Sequence, residues 1–281
     1  MSALISNWIS EPHLLPHAAD QDAARLAAES WIEAGDRTGD PTDAEFARRL
    51  PDDPVGGALL DAVFGNSPFL SQAMSNEFAF VREILEQGPD AAFARVLREL
   101  VGTRRDQDDL PSVMREMRIA KRRCSLVVGL ADIASTWPLD RVCGALSQFA
   151  DAALGVAAAH LLSSAAAAGE FTLANNHDPE HNSGLIVLGM GKLGARELNY
   201  SSDIDLIVLF DSDRIAYTGR TSLQQCFVRL TRNLVRMMDE RTVDGYVFRT
   251  DLRLRPDPAS TPLAMSALGA DCPDAETSGP R

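Results

Sequence analysis

Two strand-length apolar runs joined by a short glycine turn limit the fold of this chain more than any other feature. The first is Gly184-Leu185-Ile186-Val187-Leu188-Gly189; the second is Asp203-Ile204-Asp205-Leu206-Ile207-Val208-Leu209-Phe210. Gly189-Met190-Gly191-Lys192-Leu193-Gly194 follows the first run and matches GxGxxG, so a dinucleotide-binding unit must be weighed, with Asp211 where a ribose-binding acid would stand. Spacing argues against it. Only the eight residues Ala195 to Ser202 separate the glycine turn from the second run. A parallel crossover needs roughly 10–12 residues or more, so a short helical turn and an adjacent strand are expected instead. A Walker A loop is excluded too, because Leu193 rather than Ser or Thr follows Lys192. The turn can still cradle phosphate: Gly189 and Gly191 let backbone N–H groups approach an anion, and Lys192 adds a point charge. A plain strand-to-helix turn with an exposed lysine would read the same.

The carboxylates say more. Alternation along a strand puts Asp203 and Asp205 on one face, with Ile204 and Leu206 on the other. Two adjacent carboxylates repel unless a cation or protons intervene, and Mg²⁺, which takes oxygen ligands, is the natural occupant. Tyr246–Arg255 reads as a third strand. Val247, Arg249, Asp251, Arg253 and Arg255 would share one face, and Phe248, Thr250, Leu252 and Leu254 an apolar one. Its reading as an edge strand with solvated charges is equally open. An amphipathic helix is expected over Ser222–Glu240.

Residues 1 to about 170 read as helical. A segment starting near Asp20 has apolar residues at three-to-four spacing, a Gly/Pro/Asp-rich loop spans Gly35–Asp43, and helices are expected near 44–50, 55–65, 68–86, 90–102, 111–134 and 138–168. Pro51, Pro54, Pro68, Pro111 and Pro138 fall at their edges, where proline is tolerated. Leu173–Ser183 is polar and reads as a linker or long loop. The expected organisation is α+β: a helical region over 1–170, a mixed-sheet catalytic core over 171–266, and an unpatterned, disordered tail over 267–281.

Composition narrows the partners. A net charge of −13 lacks the basic footprint of a nucleic-acid binder. The four cysteines form no CxxC pair and the five histidines no metal-ligand motif; His177 and His181 lie in a loop sequence. No signal peptide is evident, and the apolar stretches are read as shorter than the ~20 residues a membrane span needs. A cytoplasmic protein with reduced thiols is expected.

A glycine turn, a DxD strand and a later strand with a single Asp together form the parts list of the nucleotidyltransferase superfamily, with its polymerase beta-like fold. More specifically, GLIVLGMGKLGARELNYSSDIDLIVLF (184–210) and DGYVFRTDLRLRPDPASTPLAMS (244–266) strongly resemble the glutamine synthetase adenylyltransferase/adenylyl-removing family. Weaker similarity reaches Gly65–Leu70 and Ala145–Asp151, so that the resemblance covers most of residues 55–266.

That resemblance implies two nucleotidyltransferase domains in a full-length member, one removing AMP from a tyrosine of glutamine synthetase and one adding it. The helical lead-in and Glu197-Leu198-Asn199-Tyr200-Ser201-Ser202-Asp203 resemble the N-terminal, adenylyl-removing domain, here cut short after Ser266. It implies Mg²⁺ on Asp203, Asp205 and Asp251. It also implies phosphate and nucleotide (ADP, ATP) contacts from Gly189, Gly191, Lys192, Ser201, Ser202, Arg253 and Arg255. Glutamine synthetase is the implied protein substrate and a PII signal protein an implied regulator. ATP-dependent adenylylation, or an inactive remnant that only binds glutamine synthetase or its regulators, are the alternative expectations.

Overall fold

The computed structural model describes residues 4–103, 109–255 and 260–267. The chain divides into two compact units, one containing the residues up to Glu99 together with Ile119–Phe149, the other containing Leu100–Arg118 and the described residues from Ala150 onward.

The first unit is helical. Its helices are α1 (Gln21–Arg37), α2 (Pro41–Arg49), α3 (Pro54–Phe64), α4 (Pro68–Asn76), α5 (Phe78–Gln87) and most of α6 (Pro89–Gly102), with the greater part of α7 (Leu110–Ile133) and the start of α8 (Leu139–Ala167). Several starts follow one rule. Asp40, Asp53 and Ser67 each accept a backbone N–H from the first turn while proline occupies the first helical position, where its missing N–H costs nothing. Trp31 is fully buried against Phe78, with ring centroids 4.3 Å apart.

Two expectations fail here. The loop over Gly35–Asp43 shrinks to the link between Arg37 and Pro41, because Gly35 acts as a crossing point rather than a breaker. A Cβ on it would stand 2.4 Å from that of Ala47, so α1 and α2 approach through the missing side chain. The single helix expected over 68–86 is broken at Glu77. Its carboxylate is 8% exposed and is held by Arg122 at 2.6 Å and Arg123 at 2.9 Å, and that buried ion pairing accompanies the interruption of the backbone.

The second unit carries the sheet. Its elements are β1 (Phe171–Thr172), β2 (Leu185–Gly189), α9 (Gly191–Gly194), β3 (Ile204–Phe210), β4 (Ala216–Tyr217), α10 (Leu223–Asp239), β5 (Thr250–Asp251) and β6 (Ala264–Ser266), beside the later part of α8. The fold is thus α+β with a mixed sheet. β3 is its central strand: β2 pairs antiparallel along one edge, while β5 and β6 pair parallel along the other, one after the other. The antiparallel β2–β3 pair excludes a dinucleotide-binding crossover, as the eight-residue spacing required. β1 and β4 form a separate antiparallel pair.

One face of β3 is buried: Ile204, Leu206, Val208 and Phe210. α10 packs there. Ser222 and Gln225 close its N-terminus as a capping box, and Phe227 stacks on Phe210 with centroids 4.9 Å apart. Burying a side chain such as Phe227 contributes roughly 1.5–3 kcal/mol. The other face, with Asp205, Ile207 and Leu209, is half-buried.

The third strand is a correction. Only Thr250–Asp251 of the expected Tyr246–Arg255 is strand, and the predicted two-faced alternation is absent: Val247 and Phe248 are both buried, while Leu254 is 51% exposed. The N–H groups of Val247 and Phe248 both donate to the carbonyl of Met238, which turns the chain under the end of α10. Beyond Asp251, the N–H of Arg253 donates to the Asp251 carboxylate, a local turn that competes with strand pairing.

A further correction concerns α8, which is long and apolar enough by length and composition to cross a membrane, against the expectation that no apolar stretch is. Two thirds of its most apolar window is buried inside the fold, as in the core helix of a globular protein. Of the expected disordered tail, residues 268–281 lie outside the described residues.

Candidate active site

The site is built where β3 begins. Asp205 of β3 and Asp251 of β5 are in register across a parallel pair, so both side chains leave the same face of the sheet at neighbouring positions. Asp203 lies two residues ahead of Asp205, in the turn entering the strand. The N–H of Ile204 donates to the carbonyl of Arg249 at 2.9 Å, which fixes that turn against the lead into β5.

The glycine turn closes on the same place. The N–H of Met190 donates to the Asp205 carbonyl at 2.8 Å. Gly191 has φ +51°, and a Cβ on it would stand 2.8 Å from Oδ2 of Asp205. Glycine is therefore required twice over, for the left-handed backbone and for the carboxylate against it. Gly189 ends β2 opposite Leu206. Lys192 is exposed on α9 and forms no ion pair among the described residues.

Arginines meet two of the acids. Arg253 grips Asp251 with Nε at 3.0 and 2.9 Å from its two oxygens and Nη2 at 2.5 Å from one of them. These hydrogen bonds, joined by that from the Arg253 backbone, hold the Asp251 carboxyl below the usual carboxylate range. Arg253 is raised in turn, first by its hydrogen bonds to Asp251 and the charge of that group, and more weakly by the charges of Asp205 and Asp203. Arg249 donates to Asp203 at 2.6 Å and to the Ser201 carbonyl at 2.9 Å.

The other predicted groups make local hydrogen bonds in the loops around these acids. The Ser202 hydroxyl donates to Oδ1 of Asn199 at 2.7 Å and accepts its N–H, shaping the turn before Asp203. Ser201 is exposed and its carbonyl serves Arg249. Arg255 donates to the carbonyls of Leu252 and Thr261, stitching the loop after β5.

Sequence reading assigned no role to two arginines. Arg249 carried a signal, since it alternates with Asp251. Arg118 carried none. It is 1% exposed and donates to the carbonyls of Met114 (2.7 Å), Gly245 (3.0 Å) and Glu240, so it secures the C-terminus of α10 and the turn that leads to β5. Burial lowers its pKa.

As placed, Asp203 and Asp251 face arginines, and among the described residues no group of three His, Cys, Asp or Glu side chains is drawn together tightly enough to hold a metal. The donor set itself is nonetheless of the hard-oxygen type that Mg²⁺ prefers: Asp205 and Asp251 in register on one sheet face, with Asp203 in the turn that enters β3.

Comparison with known proteins agrees on the family. The family model described as glutamate-ammonia ligase adenylyltransferase matches residues 57–271. The chain is 39% identical over 251 residues to the bifunctional glutamine synthetase adenylyltransferase/adenylyl-removing enzyme of Bradyrhizobium diazoefficiens, covering 89% of this chain and 25% of that protein. It is 52% identical over 220 residues to the protein of the same description from Agrobacterium fabrum, covering 75% and 22%. A third, from Rhodopseudomonas palustris, is 39% identical over 271 residues, 96% of this chain and 26% of that protein. The chain thus spans about a quarter of the length of these relatives. With two thirds of the chain or more aligned in each case, it belongs to the glutamate-ammonia ligase adenylyltransferase family.

Proposed function

We propose that this chain removes AMP from an adenylylated tyrosine of glutamine synthetase by phosphorolysis, using Asp203, Asp205 and Asp251 with Mg²⁺. The observation that supports this most is the parallel register of Asp205 and Asp251, with the glycine turn packed against Asp205. The direction rests on the resemblance of Glu197–Asp203 to the adenylyl-removing domain.

In this reading a phosphate oxygen attacks the AMP phosphorus, a new P–O bond forms, and the bond to the tyrosine oxygen breaks. ADP and free tyrosine result. When bound by the three carboxylates, Mg²⁺ would neutralise charge on the attacking and leaving oxygens. Tyrosine leaves as a phenolate with an ordinary pKa of about 10 and then takes a proton from water, so no strong general acid is demanded. Gly191 keeps backbone against Asp205 and leaves room for phosphate oxygens; Lys192, exposed and outside any ion pair among the described residues, adds positive charge there. Ser201 and Ser202 shape the approach to Asp203. Arg253, mostly exposed at 84%, is within reach of an incoming anion, and its planar fork matches phosphate oxygens. The same reading carries a cytoplasmic location, with a PII-type signal protein as regulator.

The test is to incubate the purified chain with adenylylated glutamine synthetase and measure ADP. ADP that requires both phosphate and Mg²⁺ is the expected result. Consumption of ATP with release of pyrophosphate, on unmodified glutamine synthetase, would reverse the assigned direction.

A further inference from the structure

Asp251 and Asp203 are both held by guanidinium groups, but the two arginines are held differently. Arg249 is fixed at two points, the Asp203 carboxylate and the Ser201 carbonyl. The Arg253 side chain is 84% exposed and its guanidinium grips a single group, the Asp251 carboxylate, which is itself only 18% exposed. Arg253 also feels the charges of Asp205 and Asp203, so its guanidinium lies in the combined field of all three acids.

Asp205 and Asp251, neighbours across the parallel pair, repel unless a cation offsets their charge, and here the Arg253 guanidinium supplies it on Asp251. The same lone pairs cannot serve a guanidinium fork and a divalent cation at once. An arginine on a solvent-exposed arm is easily displaced, since an ion pair of this kind is worth a factor of roughly two to five in an equilibrium constant. Once displaced, it has no second anchor to return to, and the field that held it is now cancelled by the metal. A guanidinium freed beside a metal site is the group best shaped to take a phosphate-type anion.

We propose that Arg253 is an exchangeable stand-in for the metal: a divalent cation takes the Asp251 carboxylate, and the released guanidinium turns to a phosphate-type anion beside it. This rests on the reading of Asp203, Asp205 and Asp251 as the metal-holding set. Cation and anion then bind with positive coupling, and linkage makes that coupling equal in both directions. Arg249, doubly anchored, stays on Asp203 as a positioning residue.

The experiment is Mn²⁺ binding followed by the electron paramagnetic resonance of free Mn²⁺, with and without inorganic phosphate, on wild type, Arg253→Gln and Asp205→Asn. The exposure of Arg253 makes loss of folding by its variant an improbable confusion, and circular dichroism checks it. Without phosphate, Arg253→Gln binds Mn²⁺ roughly two- to fivefold more tightly than wild type, because no guanidinium competes. With phosphate, wild type gains Mn²⁺ affinity and the variant gains clearly less. Asp205→Asn loses the site. Unchanged or weaker Mn²⁺ binding by Arg253→Gln without phosphate overturns the exchange while leaving the metal site standing. A wild type that binds no Mn²⁺, or binds it as well after Asp205→Asn, overturns the metal reading itself and the exchange with it.

Discussion

Asp205 and Asp251 are register partners on parallel strands, yet they reach that position from opposite ends of a helix. Asp205 belongs to a seven-residue central strand, whereas Asp251 belongs to a two-residue strand that follows α10 and its turn. The central strand is fixed by its own buried face. The short one depends on what delivers it: the Arg118 hydrogen bonds at the end of α10, the Met238 carbonyl under Val247 and Phe248, and the pairing of Ile204 with Arg249.

Arg118→Met therefore loosens the site from a distance. The substitution keeps most of the side-chain volume but leaves the carbonyls of Met114, Gly245 and Glu240 without their buried donor. The expected loss is about 2–4 kcal/mol in urea unfolding, with weaker metal binding in the protein that remains folded. Unchanged stability would show that water satisfies those carbonyls.

Gly191→Ala strains the turn and pushes on Asp205 together. A left-handed backbone costs an alanine about 1–2 kcal/mol, and the new methyl group meets the carboxylate at 2.8 Å. Turnover should fall by roughly a hundredfold, since displacements near 1 Å have that effect on a catalytic array. Gly189→Ala, whose new methyl group has the buried Leu193 side chain nearest it, at 2.9 Å, rather than a site carboxylate, should cost less turnover.

Much of this was legible in the sequence. The apolar run Leu206–Phe210 marked the central strand, because strand alternation is local; the strand begins at Ile204, so of the two acids expected to share its face only Asp205 lies on it, and Asp203 stands in the turn before it. The eight-residue spacing correctly excluded the parallel crossover. A strand through Asp251 was expected, but not its shortness: Val247 and Phe248 bury together beneath α10, a tertiary arrangement that overrides the alternation of Arg249, Asp251 and Arg253. Gly35 looked like a loop residue because the sequence does not say that Ala47 will press against it. β6, which pairs beside β5 on the same edge of β3, is three residues long and carried no pattern of its own.

Thr231→Val should stabilise the protein. The Thr231 hydroxyl is buried at 1% exposure and has no hydrogen-bond partner among the described residues, and its neighbours Leu161, Leu185, Val208 and Leu234 are apolar. Valine keeps the shape and removes the desolvated hydroxyl, an expected gain of about 1 kcal/mol or more, read as a rise in Tm. A fall in Tm would mean that an ordered water serves that hydroxyl.

The buried thiols predict an alkaline limb. Burial pushes Cys124 up to about 12, and burial with the neighbouring Glu170 pushes Cys226 up to about 11. An unfolded thiol ionises near 8.5, so above that pH the unfolded chain loses protons that the folded chain retains. The contribution of these thiols to stability is complete below about pH 8 and declines as pH rises towards the folded values, by up to about 1.4 kcal/mol per pH unit for each thiol. Native-state alkylation at pH 8 should leave both unmodified, since a thiol titrating near 11 is only about one part in a thousand thiolate there. Rapid labelling of Cys226 in folded protein would contradict this.

The central claim is that the carboxylates on the open face of β3 and β5 carry the chemistry. Its most direct test compares wild type with Asp205→Asn in phosphate-dependent ADP release from adenylylated glutamine synthetase, with circular dichroism and unfolding curves recorded for both. The account predicts a folded variant whose Mg²⁺-dependent rate falls by at least about a hundredfold. A folded variant releasing ADP at the wild-type rate would contradict it.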